Sequence, residues 1–316
     1  MRDGWLANGD PGMPDPRLVR RMVGGPVALA EVISGGLANT NLRIERAGSG
    51  DVVLLRIYRR DPAQAPKERR IREQMPAAVP VPRFLAGPRR DAESGLTYAL
   101  LEWMPGARLE RAVPALGAAG QGALGRSLGT VLAAVHGVTF PHGGFFDADL
   151  RPGEALPGGA AGLVAFLERS LGAPPGADRI AAADAAEILA FAAAAGDRLA
   201  AWDERAVLVH GDCNGSNVLV QGDRVTALLD WEFAFAGSPA FDFANLLRPP
   251  AGRHAAFVDG LEAGYRDAGG VLPADWRRLA AIADLYAWAD FLARPTAGDR
   301  LVQDAVAQML ATARAT

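Results

Sequence analysis

The sequence predicts an α+β fold in two lobes: a small N-terminal lobe with an antiparallel sheet and one helix, and a larger, mainly helical C-terminal lobe. Three observations support this prediction. Residues 1–104 are rich in β-branched and aliphatic runs, residues 105–316 carry apolar residues at helical spacing, and Met104-Pro105-Gly106 suits a hinge between them. With 316 residues, the chain can bury a large core in two lobes that share a cleft.

The N-terminal elements follow from apolar runs that glycine and proline interrupt. Prolines 80 and 82 keep their neighbourhood extended, because each disfavours the helical region for the residue before it. We expect strands over residues 27–34, 40–45, 52–58 and 96–103, a hairpin turn at 48–51 and a helix over 67–74.

The C-terminal elements are helices apart from a central hairpin and the strand before it. Helical periodicity ends at His136, where Gly137 is a suitable stop. We expect helices over residues 124–135, 163–171, 180–202 and 279–292, a loop over 152–159, and short strands over 206–209, 218–220 and 225–229.

The composition argues against several classes of protein. A hydrophobic fraction of 50% with 22% charged residues is usual for a globular protein. The formal net charge of −3, without a basic stripe, gives no support for a nucleic-acid partner. We expect no export signal and no membrane span, because the apolar stretches carry charges. Cys213 is the only cysteine, which excludes an internal disulfide and fits a cytoplasmic location.

The segment between two of the short strands carries the most informative pattern. His210-Gly211-Asp212 is followed five residues later by Asn217, and the hairpin behind this loop ends at Asp230. Phosphoryl transfer needs a carboxylate that orients an acceptor hydroxyl and oxygen ligands for Mg²⁺. Asp212 suits the first task, and Asn217 and Asp230 suit the second. This spacing is the H-x-D-x-x-x-x-N pattern of kinase catalytic loops, followed by a metal-binding aspartate.

On these motifs the chain resembles the aminoglycoside phosphotransferase family, whose relatives include choline, fructosamine and kinase-like homoserine kinases. Further matching stretches lie at residues 34–39, 55–58, 79–82, 229–232 and 237–242. The resemblance implies a bilobal protein-kinase-like fold with the nucleotide between the lobes. It also implies that Asp212 is the catalytic base, that Asn217 and Asp230 are Mg²⁺ ligands, and that Asp242 is a buried aspartate that supports the loop.

Arg56 stands on the strand where protein kinases carry a phosphate-binding lysine. Arginine can bind phosphate oxygens bidentately, although a strand arginine that faces solvent is the alternative interpretation. Its orienting partner is Glu68 or Glu73. We prefer Glu68, because Ile71 and Met75 share its inward face. The sole lysine, Lys67, begins the following helix and cannot replace Arg56.

Backbone groups are expected to complete the nucleotide site. Glycines between the first two strands let N–H groups approach phosphates, although an ordinary hairpin turn is the alternative. Main-chain atoms at the hinge bind the base, which leaves the choice between ATP and GTP open. These predicted nucleotide-binding residues are Ser34, Gly35, Gly36, Asn39, Glu102 and Met104. We expect His210 to orient the catalytic loop through backbone hydrogen bonds, and His136 to be structural.

The acceptor pocket is expected between the C-terminal helices and the loop after Asp230. Acids would bind amines and aromatic rings would stack, although each candidate could instead pack in a helix or face solvent. From Arg253 onward acids and arginines nearly balance, which argues against a polycationic aminoglycoside. The candidates are Glu232, Trp276, Asp284, Trp288 and Asp290.

The sequence therefore predicts an enzyme that moves the γ-phosphoryl group of Mg-ATP or Mg-GTP to a hydroxyl of a small molecule. An antibiotic is the preferred acceptor, with resistance or self-resistance as the role; a metabolite such as choline, homoserine or fructosamine is the alternative. A protein kinase is disfavoured, because no activation segment follows Asp230. A non-catalytic nucleotide-binding protein is disfavoured because Asp212, Asn217 and Asp230 are all present. We expect a monomer or a homodimer.

Overall fold

The computed structural model describes residues 12–33, 39–202 and 205–315. Within these ranges the chain forms an N-terminal lobe around one antiparallel sheet and a C-terminal lobe that is mostly helical, which confirms the predicted α+β class. In the part of the chain that the structure describes, no helix combines the length and apolar character needed to cross a bilayer.

The described residues of the N-terminal lobe form two helices and one five-stranded sheet. The elements are α1 (Pro16–Val23), β1 (Val27–Val32), β2 (Asn39–Arg46), β3 (Val52–Tyr58), α2 (Gln64–Gln74), β4 (Phe84–Arg90) and β5 (Thr97–Glu102). The strands are antiparallel in the order β1-β2-β3-β5-β4, so β3 lies at the centre. The strands predicted from apolar runs are therefore present, with ends shifted by a few residues.

The central strand determines where Arg56 points. Side chains alternate between the two faces of a strand. Leu55 and Ile57 of β3 belong to a core cluster with Met22 of α1, on one face. Arg56 and Tyr58 therefore project to the other face, where Tyr58 packs with Ala65 of α2.

Two N-terminal elements were absent from the prediction. Helix α1 begins after Asp15, whose carboxylate accepts a hydrogen bond from the Arg17 N–H at 2.7 Å, and it buries a short apolar stripe that includes Val19. Strand β4 pairs irregularly with β5 around Pro88, which supplies no N–H to the ladder. Both elements give weak signals in the sequence. Helix α1 is only two turns long, and Pro88 breaks the apolar alternation of β4.

The C-terminal lobe combines eight α-helices with two small sheets within the described residues. The helices are α3 (Leu109–Ala115), α4 (Ala118–His136), α5 (Gly159–Leu171), α6 (Ala182–Ala195), α7 (Ala240–Leu247), α8 (Ala255–Asp267), α9 (Trp276–Ala293) and α10 (Asp299–Arg314). Short 3-10 segments cover Ala177–Arg179, Gly196–Trp202, Trp231–Phe233 and Ala251–Arg253. The strands are β6 (Ala107–Arg108), β7 (Thr139–Phe140), β8 (Gly144–Phe145), β9 (Ala206–Val209), β10 (Val218–Gln221), β11 (Arg224–Leu228) and β12 (Phe235–Gly237).

One predicted helix of this lobe differs from the structure, and one predicted boundary is not tested by it. The single helix predicted over residues 180–202 is wrong, because α6 ends at Ala195 and a 3-10 segment begins at Gly196, a residue of low helix propensity. The lobe boundary after residue 104 stays a prediction; β6 begins at Ala107 and already pairs with β10.

Helices α4 and α8 cross with their backbones in contact. A Cβ atom at Gly125 would lie 2.1 Å from the Phe257 carbonyl oxygen, and one at Gly264 would lie 2.1 Å from the Arg126 carbonyl oxygen. Neither position can accept a side chain without moving a helix.

The two small sheets position the functional segments. One sheet has the order β11-β10-β6 and the other β7-β9-β12-β8. The chain crosses from β9 to β10 through residues 210–217 and returns from β11 to β12 through residues 229–234. Both crossing segments therefore lie side by side, at the surface that faces the N-terminal lobe through Arg56.

Candidate active site

Asp212 is held by two neutral amides of its own loop. The Asn214 Nδ2 donates to Asp212 Oδ1 at 2.6 Å, and the Asn217 Nδ2 donates to Asp212 Oδ2 at 2.8 Å. Amides position a carboxylate without neutralising its charge. This arrangement suits a group that accepts a proton from an incoming hydroxyl.

A buried aspartate fixes the start of this loop. Asp242 has 0% exposure, and its two oxygens accept the N–H groups of His210 (2.9 Å) and Gly211 (3.0 Å). His136 Nε2 lies 3.1 Å from Asp242 Oδ2, and its Nδ1 lies 2.9 Å from the Tyr265 hydroxyl. Helices α4, α7 and α8 thus jointly support the loop, and Asp242 and His136 have the structural contacts expected of them.

His210 and Gly211 determine how the loop turns. His210 Nε2 lies 2.8 Å from the Leu229 carbonyl, which can only accept, while the Asp212 N–H donates to His210 Nδ1 at 3.3 Å. The imidazole is therefore the Nε2–H tautomer and is held between one backbone group of its own loop and one of the hairpin. Gly211 has φ +77°, and a Cβ there would lie 2.3 Å from the Phe233 carbonyl oxygen.

The hairpin brings Asp230 next to Asn217. The Leu229 N–H donates to the Asn217 carbonyl at 2.8 Å, directly before Asp230. Asp230 has φ +68°, a left-handed conformation that costs a residue with a Cβ about 1–3 kcal/mol. Because Asn217 uses its Nδ2 to bond Asp212, its Oδ1 is the atom it can offer to a cation.

Arg56 connects Asp230 to the N-terminal lobe. Its Nη2 donates to Asp230 Oδ1 at 2.6 Å and to Glu68 Oε1 at 2.9 Å. Arg56 is 6% exposed, so the solvent-facing alternative is wrong. Burial alone would lower the pKa of Arg56, but the charges of Glu68 and Asp230 outweigh it and raise that pKa above its ordinary value. Glu73 instead pairs with Arg69, so Glu68 is the glutamate that orients Arg56.

Glu232 also joins the two lobes. Its Oε2 accepts a hydrogen bond from Asn39 Nδ2 at 2.9 Å, and its carbonyl accepts one from Lys67 Nζ at 2.5 Å. Burial, and then the charge of Asp230, raise the pKa of Glu232 to about 7. Burial lowers the pKa of Lys67. Among the described residues, the side chains of Asn39, Arg56 and Lys67 therefore donate hydrogen bonds from the N-terminal lobe to the segment after β11.

The acidic side chains here form a donor set that fits a divalent cation. Carboxylate oxygens of Glu68, Asp230 and Glu232 lie within 4.8 Å of one another. Hard cations such as Mg²⁺ prefer oxygen ligands, and the Asn217 Oδ1 is a further oxygen at the same end of the hairpin. The sequence predicts Glu68 as the partner of Arg56 and Glu232 as an acceptor contact, and it does not reveal that both lie close to Asp230. The D-x-E spacing of Asp230 and Glu232 was the available signal.

The remaining nucleotide-binding predictions lie around the hinge and the first hairpin. Ser34, Gly35 and Gly36 lie outside the described residues. The Glu102 N–H donates to the Arg83 carbonyl at 2.9 Å, so the Glu102 carbonyl is the group it can offer to a base. Among the described residues, no backbone hydrogen bond engages the Met104 N–H.

A pocket opens on the other side of the catalytic loop. It lies between α3, the loop, the end of α7, α9 and α10. Its polar and aromatic lining includes Glu110, Asn214, Asn245, Arg248, Trp288 and Asp304.

The five acceptor candidates are placed differently with respect to this pocket. Trp288 lines the pocket. Asp284 lies outside the lining and forms an ion pair with Arg248, which does line the pocket. Glu232 lies instead with Asn39 and Arg56, because the turn after Asp230 directs it toward the N-terminal lobe. The other two candidates lie outside the lining. Trp276 is 2% exposed and packs on Phe243 in the core, and Asp290 pairs with Arg294 on α9.

Comparisons with known proteins give one family. The profile of the phosphotransferase enzyme family matches residues 30–282. A search of curated protein sequences returned no significant match.

Solved structures give the same fold. A thermostable mutant of aminoglycoside phosphotransferase APH(4)-Ia is 20% identical over 95% of this chain and 98% of its own, with a TM-score of 0.65. Macrolide 2'-phosphotransferase MphH from Brachybacterium faecium is 23% identical over 93% and 96%, with a TM-score of 0.60. The GDP complex of aminoglycoside 2'-phosphotransferase-IIIa is 12% identical over 94% and 96%, with a TM-score of 0.68. The kinase-like bilobal fold is thereby confirmed.

Proposed function

The chain belongs to the phosphotransferase enzyme family, and from this premise we propose that it transfers the γ-phosphoryl group of a Mg²⁺-nucleoside triphosphate to a hydroxyl of a small molecule. The observation that carries the proposal is the pair of carboxylates in the cleft. Asp212 is held by amides on the side of the pocket, and Asp230 stands beside Asn217, Glu68 and Arg56.

Each charged residue of the site has a separate proposed role. Asp212 accepts the proton of the acceptor hydroxyl, because two amides of its own loop hold both of its carboxylate oxygens in position. Asn217 and Asp230 would hold Mg²⁺, with Glu68 and Glu232 close enough to contribute. Bound Mg²⁺ would supply positive charge against the phosphate oxygens. Arg56 would donate to a phosphate oxygen in place of Asp230, while its bond to Glu68 keeps the guanidinium in position.

The acceptor and the cellular setting are further parts of the proposal. The solved structures compared above are named as aminoglycoside and macrolide phosphotransferases, which favours an antibiotic as acceptor over a metabolite. Both ATP and GTP remain candidate donors, because the base would meet backbone groups at Glu102 and Met104. A donor of this kind places the enzyme in the cytoplasm.

Two variants test the proposal directly. We expect Asp212→Ala to reduce phosphoryl transfer at least about 10³-fold while Mg-ATP still binds, because the base contacts the acceptor and not the nucleotide. Asp230→Ala should weaken Mg²⁺-dependent nucleotide binding as well. Product formation by mass spectrometry and nucleotide binding by calorimetry measure the two effects. Asp223→Ala, in the exposed turn between β10 and β11, is the control. Transfer by Asp212→Ala at a rate close to wild type would falsify the assignment.

A further inference from the structure

The pocket beside the catalytic loop is connected to Asp212 by one residue. Asn214 lines the pocket and also donates to Asp212 Oδ1 at 2.6 Å. Asn214 therefore separates an occupant of this pocket from the proposed base by a single side chain. The side chains of the opposite wall then determine which compounds can be acceptors.

The charges that line this pocket are balanced. Arg248 and Arg253 contribute two positive charges, and Glu110 and Asp304 contribute two negative ones. A polycation needs several carboxylates that are not already neutralised, because each unpaired ammonium group must be desolvated close to the two arginines. Because Asp284 neutralises Arg248, the lining keeps an excess of one carboxylate, and it lacks the larger acidic excess that such a ligand needs.

Arg248 covers the carboxylate that could have supplied this excess. Its Nε lies 3.0 Å from both Asp284 oxygens, and its guanidinium carbon lies 4.8 Å from the Trp288 ring centroid. The side chains of Arg248 and Asp284 are 11% and 10% exposed. The ion pair is thus fixed against an aromatic wall, with Arg248 on the side of the pocket and Asp284 behind it.

The same guanidinium can still bind oxygen atoms of a ligand. Its hydrogen bonds to Asp284 come from Nε and Nη2, so Nη1 can donate to a carbonyl or hydroxyl oxygen in the pocket. The Trp288 ring supplies an apolar surface beside this donor. Glu110 supplies a negative charge at the other wall, sufficient for a single amine.

We propose that the acceptor is an oxygen-rich compound with an apolar face and at most one cationic amine, and that Arg248 is the residue that excludes polycations. This inference rests on the proposed function and narrows its acceptor class. It separates a singly charged macrolide-type acceptor from a polycationic aminoglycoside.

Binding of two antibiotics to wild type and to Arg248→Gln tests the inference. Erythromycin carries one amine and many oxygens, whereas gentamicin is a polycation. We expect wild type to bind erythromycin at least about tenfold more tightly than gentamicin in calorimetry. Arg248→Gln uncovers Asp284, so gentamicin binding should tighten about tenfold and erythromycin binding should weaken. In the double variant Arg248→Gln/Asp284→Asn the gain for gentamicin should disappear, because no carboxylate is uncovered.

Controls make the result decisive. Arg314→Gln removes an ion pair with Glu187 outside the pocket and should leave the ratio of the two affinities unchanged. Circular dichroism checks that each variant is folded. Equal or tighter binding of gentamicin by wild type, binding of neither compound, or an unchanged ratio in Arg248→Gln would each overturn the inference. The proposed function is tested separately by Asp212-dependent transfer, and it survives if only the acceptor class is wrong.

Discussion

The two aspartates at the centre of the cleft are held in opposite ways. Asp212 accepts hydrogen bonds from Asn214 and Asn217, which belong to the same loop and carry no charge. Asp230 accepts its bond from Arg56, which stands on the other lobe and is shared with Glu68. Neutral groups within one lobe fix the first aspartate, and charge across the cleft fixes the second.

This difference follows from what each aspartate is proposed to do. A general base must keep its negative charge and its affinity for a proton, and amide donors position it without adding an opposite charge. A metal-binding aspartate is crowded by other acids, here Glu68 and Glu232, and crowded carboxylates repel one another. Arg56 supplies the positive charge that keeps this acidic group together.

The largest expected effect is a loss of stability when the buried support of the loop around Asp212 is removed. Asp242→Ala removes the buried carboxylate that accepts the His210 and Gly211 N–H groups and that contacts the buried His136. We expect the free energy of unfolding to fall by about 3–5 kcal/mol, as when a buried pair is broken. Urea denaturation measures this loss. Asp267→Ala, which breaks the exposed pair with Arg126, should cost less than about 1 kcal/mol. Equal losses would show that Asp242 does not support the loop.

An intermediate effect is expected on the charged side. Arg56→Met leaves the acids around Asp230 without their buried cation, so Mg-ATP affinity should fall about 100-fold. Arg56→Lys should lose about tenfold, because lysine lacks the guanidinium whose Nη2 donates to both Glu68 and Asp230. Calorimetry with Mg-ATP measures both. Arg43→Met, on the neighbouring strand β2, is the matched control. An unaltered affinity in Arg56→Met would remove Arg56 from the nucleotide site.

The smallest effect is a pH dependence of stability that arises from Glu232. Its pKa in the folded protein is raised to about 7 from an ordinary value of 4.5. Between these pH values the folded protein retains a proton that the unfolded chain has released, so this group's contribution to stability falls as the pH rises. Glu232→Gln lacks this loss. In metal-free buffer, the Tm of Glu232→Gln minus the Tm of wild type should therefore increase by roughly 2–4 °C when the pH is raised from 5 to 7.5.

A matched variant isolates this effect. Glu154→Gln, at an exposed position, should follow the wild-type pH curve. Parallel Tm curves for wild type and Glu232→Gln would show that Glu232 does not titrate in this range.

Contacts within one short segment are easier to predict from the sequence than contacts between the lobes. Asp212, Asn214 and Asn217 lie in one short loop, so their closeness follows from spacing. Asp230 follows from the hairpin. The contacts of Glu232 with Asn39 and Lys67 join residues 193 and 165 positions apart, and no local pattern indicates them. The direction of Glu232 depends on the left-handed conformation of Asp230, which apolar spacing does not reveal.

The fold shows the same division. Strand β3 lies over the predicted residues, and the end of helix α4 is predicted to within one residue, although that helix begins six residues earlier than predicted. Helix α1 and strand β4 are short or irregular, and tertiary contacts decide them. The sequence predicts Trp276 as an acceptor contact, because aromatic residues serve both in ligand binding and in core packing. Its burial against Phe243 could not be inferred without the packing of α9 on α7.

The glycine contact between α4 and α8 has a consequence far from the place where the helices touch. Helix α4 ends at His136, and Tyr265 directly follows Gly264 on α8. The 2.9 Å hydrogen bond between these two side chains therefore depends on how closely the helices approach. His136 in turn contacts Asp242, which anchors His210 and Gly211. A methyl group added at Gly264 would push the two helices apart, and this displacement would reach the proposed base through His136 and Asp242.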